Sequence, residues 1–357
     1  MAAGSPKSSA PPRRITMADI AARAGVSRPL VSAALGRGRG TIGVSAKTRE
    51  RIEAICQELN YRVHATARAT RSGRTGSIAL LKGTGASTSY RPQQLIDGIH
   101  HEAQAHNLSL ILDTLADEKL TSEGFVPKML RELACDGMLI NYQHHIPTRM
   151  LELIRQHHVP SVWLNSKQPA NCVHIDDLGG GEALTNHLLQ LGHRRIVYVD
   201  FSHPSDLLPT THYSAHDRAE GYCHALRAAG LEPRVRRPTV AFTPPQRLEM
   251  ARQILRHDQP TALITYASGH LHLFNIAALE LGWRIPTDLS VASFDARWFN
   301  EFAVGVTVAK LDYAELGRRA TRMLLQRIQD PHLSLPCASV ACPVEPDQST
   351  RPPRERS

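Results

Sequence analysis

The sequence predicts an α/β protein, with a three-helix helix-turn-helix headpiece leading a two-lobed body built on parallel sheets. Three observations carry this. Two short helical patterns meet at a glycine within ITMADIAARAGVSRPLVSAAL, residues 15–35. Positive charge is confined to the same end: residues 1–74 hold 14 Lys+Arg against 4 Asp+Glu, and the remainder holds 28 against 29. From Ser77 onward, apolar runs of strand length alternate with amphipathic helical patterns, as parallel sheets covered on both faces require.

At 357 residues the chain has room for two or three domains and a large apolar core. Residues 1–14, MAAGSPKSSAPPRR, are small, polar and proline-rich with no apolar stretch. They read as a disordered arm rather than a secretion signal. No apolar run approaches the roughly 18 residues a membrane span needs. The six cysteines are scattered without a Cys-x-x-Cys pair, so the expectation is buried thiols with neither a disulfide framework nor a zinc site. The compartment this suggests is a reducing cytoplasm.

The headpiece spans residues 15–62. Thr16 is placed to cap a helix carrying Ile20, Ala21 and Ala24 on one side, and Gly25 supplies the turn that follows. Ser27 offers a second N-cap, with Pro29 in the first turn where a missing N–H costs nothing. Val31, Ala34 and Leu35 continue the apolar side at helical spacing. Such a pair is either a packed hairpin or a helix-turn-helix whose second helix enters a DNA major groove, and the +10 balance favours the polyanion. A third helix begins at Ser45, with Ile52, Ile55, Cys56 and Leu59 on one stripe. Lys47, Arg49 and Arg51 near its start either reach phosphates or form a solvated charged face.

Residues 63–76 are small, polar and basic, with Arg68, Arg71 and Arg74 spaced by three. This hinge is either a plain linker or a segment that becomes helical when docked on DNA. The body occupies 77–342. Its expected strands are 78–82, 109–113, 137–141, 161–164, 173–175, 195–199, 239–242, 262–265 and 290–294. Helices are expected near 91–106, 123–134, 147–157, 178–191, 213–229, 246–256, 268–282 and 312–329. Nine strands exceed one such unit, which is why two lobes with a cleft between them are expected. Ligands in these sheets bind outside the carboxyl ends of strands. The tail, 343–357, carries four prolines and mixed charge and reads as flexible.

The residues now on the page resemble the LacI/GalR family of bacterial transcription regulators. The resemblance runs from about Ile15 to Cys342. It rests on MADIAARAGVS, LVS and VSAKTRERIEAICQELNY in the headpiece. In the body it rests on IDDLGGGEALTNHLLQLGHRRIVYV, HDRAEGYCHAL, GWRIPTDLSVASFD and LDYAELGRRATRMLL. It implies a homodimer with a periplasmic-binding-protein-like body. It also implies a double-stranded operator of approximate twofold symmetry and a small sugar-like effector that alters DNA affinity.

Base contacts fall by resemblance at Arg28, Pro29 and Ala33. An arginine fork there suits a guanine, whereas Pro29 and Ala33 offer only apolar contact, for instance with a thymine methyl. Thr16 and Ser32 correspond to phosphate contacts. Thr70 stands where the family wedges a leucine into the minor groove. That departure weakens the expected kink, and the hinge arginines offset it in part.

In the cleft, Arg218 and Asp295 stand at the family's ligand-contacting arginine and aspartate, a pair suited to vicinal hydroxyls. The alternative for each is a structural ion pair or a surface charge. Tyr90 and Trp163 are candidate apolar walls or simply core. Ala267-Ser268 replaces the Asn-Asp pair of many sugar-responsive members, so the effector differs from a common sugar or is absent. No cofactor motif, Walker loop, nucleophile elbow or metal spacing occurs, and catalysis is not expected. A solute receptor or an enzyme without a DNA role is the alternative. The basic headpiece and the missing export signal count against it.

Overall fold

The headpiece forms because each helix has its own start signal and one shared core. In a computed structural model of the protein, residues 15–35, 43–61, 73–83, 92–115, 122, 132, 134–141, 148–207, 211–295 and 305–354 are described. They divide into two units, Met1–Gly76 and Ser77–Ser357. Helix α1 is Met17–Ala24, α2 is Arg28–Leu35 and α3 is Ala46–Glu58. Thr16 and Asp19 close a capping box, with the Thr16 N–H donating to Asp19 Oδ2 at 2.8 Å. Gly25 sits at φ 62°, the left-handed conformation that ends α1 and turns the chain into α2. Ser45 caps α3, its Oγ accepting from the Thr48 N–H at 3.2 Å. Ile20, Ala21, Ala24, Val31, Ala34, Ile52 and Ile55 form the buried cluster where the three helices meet.

The body holds two six-stranded sheets. The first lobe contains β1 (Ser77–Gly83), β2 (Ser109–Leu115), β3 (Gly137–Asn141), β4 (Ser161–Leu164), β5 (Cys172–Ile175) and β11 (Ala338–Val340). Their order is β11-β5-β4-β3-β1-β2, and every pairing is parallel. The second lobe contains β6 (Ile196–Val199), β7 (Val235–Arg236), β8 (Ala262–Thr265), β9 (Ser290–Asp295), β10 (Thr307–Lys310) and β12 (Val344–Glu345). Their order is β12-β10-β9-β8-β6-β7, parallel except where β12 runs antiparallel to β10.

The chain passes between lobes three times, after β5, after β10 and after β11. Two helices cover sheets from the far side of these passages. Helix α6 (Asp177–Gln190) packs on α7 (Tyr213–Ala228) and the second sheet. Helix α10 (Tyr313–Gln329) packs on α4 (Gln93–Ala105) and the first. Among the described residues, the other α-helices of the body are α5 (Thr148–Gln156), α8 (Pro244–Gln253) and α9 (Leu271–Glu280). Strand runs such as Ile78–Leu81 and Ala262–Thr265 are wholly buried, as strands sandwiched between helical layers must be.

The body departs from the expected elements at several places. The apolar run 239–242 is no strand: Val240 is 63% exposed, and the chain pairs at Val235–Arg236 instead. Three strands, at 307–310, 338–340 and 344–345, escaped the sequence pattern because each is short and interleaves polar residues (Thr307, Lys310, Ser339, Glu345) rather than forming an apolar run. The expected helix at 123–134 lies almost entirely outside the described residues.

As far as Arg354, the tail is held rather than flexible. Ser349 is fully buried, its Oγ donating to the Val291 carbonyl at 2.6 Å and its N–H to the Gly305 carbonyl at 2.9 Å. His193 Nε2 lies 2.9 Å from the Arg351 carbonyl oxygen, which can only accept, so that nitrogen carries the proton. Composition misreads the tail because it is anchored through backbone groups, which proline-rich text does not display.

The cysteines also depart from expectation. Cys172 and Cys337, 165 residues apart, form a disulfide, while Cys56, Cys135, Cys223 and Cys342 are free. Nothing in their spacing announces the pair. Only the adjacency of β5 and β11 brings them together.

Candidate functional site

Each of the two units carries a candidate site. In the headpiece, burying Val31 and Ala34 turns the opposite side of α2 outward. Ser27, Arg28 and Pro29 are exposed at its start, and Ser32 and Ala33 are half-buried one turn on. The Arg28 guanidinium thus stands at a helix N-terminus on a side that the headpiece core does not cover. Thr16 is exposed, but its hydroxyl donates to Asp19 Oδ2 at 2.7 Å. Ser27 Oγ accepts from the Leu30 N–H at 3.4 Å. Lys47 and Arg51 are exposed on α3. Arg49 is not part of that set: its Nη1 donates to the Ala34 carbonyl at 2.6 Å and ties α3 to the end of α2. Arg68, Thr70 and Arg71 lie outside the described residues.

In the body, residues just past the strand ends of the two lobes bind one another. Asn165 and Lys167 follow β4 in the first lobe, and His212, Tyr213 and Asp217 open α7 in the second. Tyr213 donates its hydroxyl to Asn165 Oδ1 at 2.9 Å. His212 Nε2 lies 2.9 Å from the Asn165 carbonyl, so it carries the ring proton and leaves Nδ1 to accept. Nδ1 is 2.6 Å from Ser214 Oγ, which is in turn 2.8 Å from the Tyr266 hydroxyl. Lys167 pairs with Asp217 and lies 5.1 Å from the Tyr213 ring centre. Burial pushes the His212 imidazole down to about 4, so it is neutral near pH 7.

Beneath this junction Arg218 donates from Nε to Asp177 Oδ1 at 2.6 Å and from Nη1 to the Tyr266 carbonyl at 2.7 Å. Its guanidinium lies 4.5 Å from the ring centres of both Tyr266 and Phe294. The arrangement depends on α6 and α7 touching backbone to backbone. A Cβ on Gly221 would fall 2.1 Å from the Leu178 carbonyl oxygen, and one on Gly181 would fall 2.5 Å from that of Arg218. Asp177 sits at the first passage between lobes, so this ion pair fastens the hinge to α7.

A second polar group collects where β6 and β8 end. Asp200 is fully buried and accepts from His203 Nδ1 at 2.9 Å, with Arg237 beside it. His270 Nε2 lies 3.3 Å from Ser202 Oγ, and burial lowers the His270 imidazole to about 4. Among the described residues no group of three or more His, Cys, Asp or Glu could hold a metal ion.

The expected effector residues distribute unevenly across this geometry. Arg218 is at the junction but buried and partnered, the structural ion pair that was the alternative reading. Trp163 is core, 7% exposed among Ala79, Leu81, Ile140 and Met150, and forms no wall. Its strand is covered on both faces, so an aromatic there packs inward. Ala267 and Ser268 are half-buried in the turn after β8, near Tyr266. Asp295 ends β9, opposite Lys310 in register. Tyr90 lies outside the described residues. Asn165, Lys167, Asp177, Asp200, His203, His212, Tyr213 and Asp217 were not singled out from sequence. Five of them, Asn165, Lys167, Asp177, Asp200 and His203, follow strand ends, the one signal that was available.

A helix-turn-helix ahead of a two-lobed α/β body with parallel sheets defines a DNA-binding regulator with a ligand-receiving module. The sequence signature of bacterial regulatory proteins of the lacI family matches residues 16–63, and that of the periplasmic binding protein-like domain matches residues 185–350. The chain thus carries a lacI-family helix-turn-helix domain followed by a periplasmic-binding-protein-like domain.

The ribose operon repressor of Escherichia coli (strain K12) is 29% identical over 326 residues, covering 89% of this chain and 94% of that protein. The HTH-type transcriptional repressor PurR of Erwinia tasmaniensis is 29% identical over 325 residues, covering 88% and 90%. Among solved structures, the lac repressor dimer bound to operator and the anti-inducer ONPF superimposes with a TM-score of 0.75. It is 21% identical and covers 95% of this chain and all of its own. A LacI family regulator from Enterococcus faecium with bound ribose gives a TM-score of 0.61 at 22% identity, covering 78% of this chain and all of its own. At such identities the structural likeness speaks for the fold. No helix among the described residues is long and apolar enough to cross a membrane.

Proposed function

We propose that this chain is a homodimeric, sequence-specific DNA-binding transcription repressor, gated by a small sugar-like ligand at the interlobe junction and working in the cytoplasm on nucleoid DNA. The observation that carries the reading is the exposure of Arg28 and Pro29 at the start of α2 while Val31 and Ala34 are buried. That arrangement leaves the helix start free to read base edges while its back holds the headpiece together. Residues 15–62 serve as the DNA-binding unit, 63–76 as the hinge, and 77–342 as the effector-binding and dimerisation domain. Thr16, Ser32, Lys47, Arg68 and Arg71 serve phosphate and groove contacts, with Thr70 at the hinge.

For a ligand to act, it must bind the DNA-competent and DNA-incompetent lobe arrangements with different affinity. The junction residues supply a means, because the contacts of Asn165 and Lys167 with His212, Tyr213 and Asp217 exist only while the lobes are apposed. One repressor among the relatives is named for the ribose operon, and one structural relative holds ribose. Sugars therefore head the ligand screen. The relatives are repressors rather than enzymes, and the chain is read as non-catalytic.

An electrophoretic mobility shift with the DNA upstream of the chain's own gene tests the proposal. The expected result is a complex that survives scrambled competitor and responds to a ligand that raises the chain's melting temperature. A complex that disappears equally with specific and scrambled competitor would refute sequence-specific regulation.

A further inference from the structure

We propose that Cys337, Cys172 and His174 form a reversible thiol-oxidation site for hydroperoxides, and that its state sets the 165–171 segment at the interlobe junction. Strands β5 and β11 pair in parallel with Ala338 opposite Val173, so the residues just before them, Cys337 and Cys172, also lie side by side. Their Cα atoms are 4.8 Å apart and their sulfurs are joined. The two differ in access: Cys337 is partly exposed, and Cys172 is fully buried. A solute can meet the first and not the second. His174 is two residues beyond Cys172 along the strand and therefore on the same face. Its Nδ1 lies 3.3 Å from Cys337 Sγ, placed to take the thiol proton and leave the nucleophilic thiolate.

The chemistry balances in two steps. The Cys337 thiolate attacks one oxygen of the hydroperoxide; an S–O bond forms and the O–O bond breaks. The departing oxygen takes the proton held by His174 and leaves as water, or as an alcohol from an organic peroxide. Cys172 sulfur then attacks the sulfenic sulfur. An S–S bond forms, the S–O bond breaks, and hydroxide leaves as water with the Cys172 proton. Two thiols lose two electrons and the peroxide gains them. A dithiol reverses the bond by exchange.

The link to the junction runs through Gln168. Cys172 Sγ lies 3.2 Å from the Gln168 carbonyl oxygen and accepts from the Gln168 N–H at 3.3 Å. A Cys172 thiol donates to that carbonyl. A disulfide sulfur has no proton to donate, and is tied to β11 besides. Gln168 adjoins Lys167, which pairs with Asp217 across the lobes, and Asn165 lies three residues back with its bonds to His212 and Tyr213. Oxidation and reduction thus hold this segment by different contacts. The regulatory sense of the switch rests on the reading that lobe arrangement governs DNA. The tests below use neither DNA nor ligand, so the two can fail separately.

Full-length protein is reduced, desalted and treated with hydrogen peroxide, then its thiols are titrated in denaturant and its peptides mapped by mass. The count should fall from six to four, with a Cys172–Cys337 cross-link as product. His174→Gln should slow the reaction about tenfold without changing the product. Trypsin cleavage after Lys167 should differ at least threefold, on the order of the change that one lost contact makes, between oxidised and reduced protein, and not in Cys337→Ser. The site is overturned by a thiol count that stays at six, by a cross-link between other cysteines, or by sulfinic acid at Cys337 without a cross-link. Equal trypsin cleavage of the oxidised and reduced forms overturns the switch. Because the cross-link is mapped in the wild-type chain, poor folding of a variant leaves that test intact.

Discussion

The guanidinium of Arg218 and the carboxylate of Asp177 meet at 2.6 Å with side chains only 6% and 2% exposed, on the passage where the chain first leaves one lobe for the other. Burial opposes the charge on Arg218, and the Asp177 carboxylate restores it, so the guanidinium stays protonated across the working range. A charge held this way is costly to orphan. Asp177→Ala should destabilise the body by about 3–5 kcal/mol, lowering Tm by about 10 °C in a thermal melt. Replacing both partners with apolar residues of similar volume should cost far less. If the single and double replacements melt alike, the pair does not hold the hinge.

Arg28→Ala should lose about 1–3 kcal/mol of discrimination at one operator position, read as a loss of preference over a single-base variant in competition gel shifts. Lys47→Ala should instead weaken all sequences alike and reduce the salt slope by about one. Exchanged outcomes would mean that α3, not α2, faces the bases.

Acid should loosen the body through its buried histidines. His212 in the folded chain titrates at about 4 against an ordinary value of 6.5. The unfolded chain therefore takes up the proton first as pH falls. Stability is intact above about 6.5 and declines until about pH 4, by up to about 3 kcal/mol for this group. His270, also lowered to about 4, acts in the same direction. Thermal melts at intervals from pH 7.5 to 4.5 should show the decline, and His212→Asn should flatten part of it. A slope untouched by that change would place the coupled proton elsewhere.

Ser349 accepts the Thr307 N–H at 2.8 Å and donates to the Val291 carbonyl at 2.6 Å, so it stitches the segment after β12 to β9 and β10. Ser349→Ala should cost about 1–3 kcal/mol, because the Thr307 N–H and the Val291 carbonyl are then buried unsatisfied. Cutting the chain after Pro343 should cost more, since β12 and the His193–Arg351 contact are lost together. Equal melting of the full and shortened chains would restore the reading of the tail as loose.

Much of this was legible in residue order. The headpiece was, because Thr16, Gly25 and Ser45 are local signals acting within a few residues, and the apolar stripes of Ile20, Val31 and Ile52 have helical period. Most body strands were legible because a strand buried on both faces is a continuous apolar run. The short strands at 307–310, 338–340 and 344–345 were not. Unlike the equally short but apolar β6, they interleave polar residues (Thr307, Lys310, Ser339, Glu345), so pairing with distant neighbours is what makes them strands. The family pattern led to Arg218, but its partner could not be read, because Asp177 meets it only where α6 crosses α7 at Gly181 and Gly221.

By itself, then, the order of residues determined which end carries positive charge, where each helix starts, and that two parallel sheets follow. Those features arise from composition, capping and period, all of which act over one or two turns of chain. Tertiary structure alone decided that Cys172 would meet Cys337, that Asn165 would bind His212, and that Ser349 would be stitched to β9. Each of these joins segments dozens of residues apart or more, and no local propensity encodes a partner that arrives only when the sheets assemble.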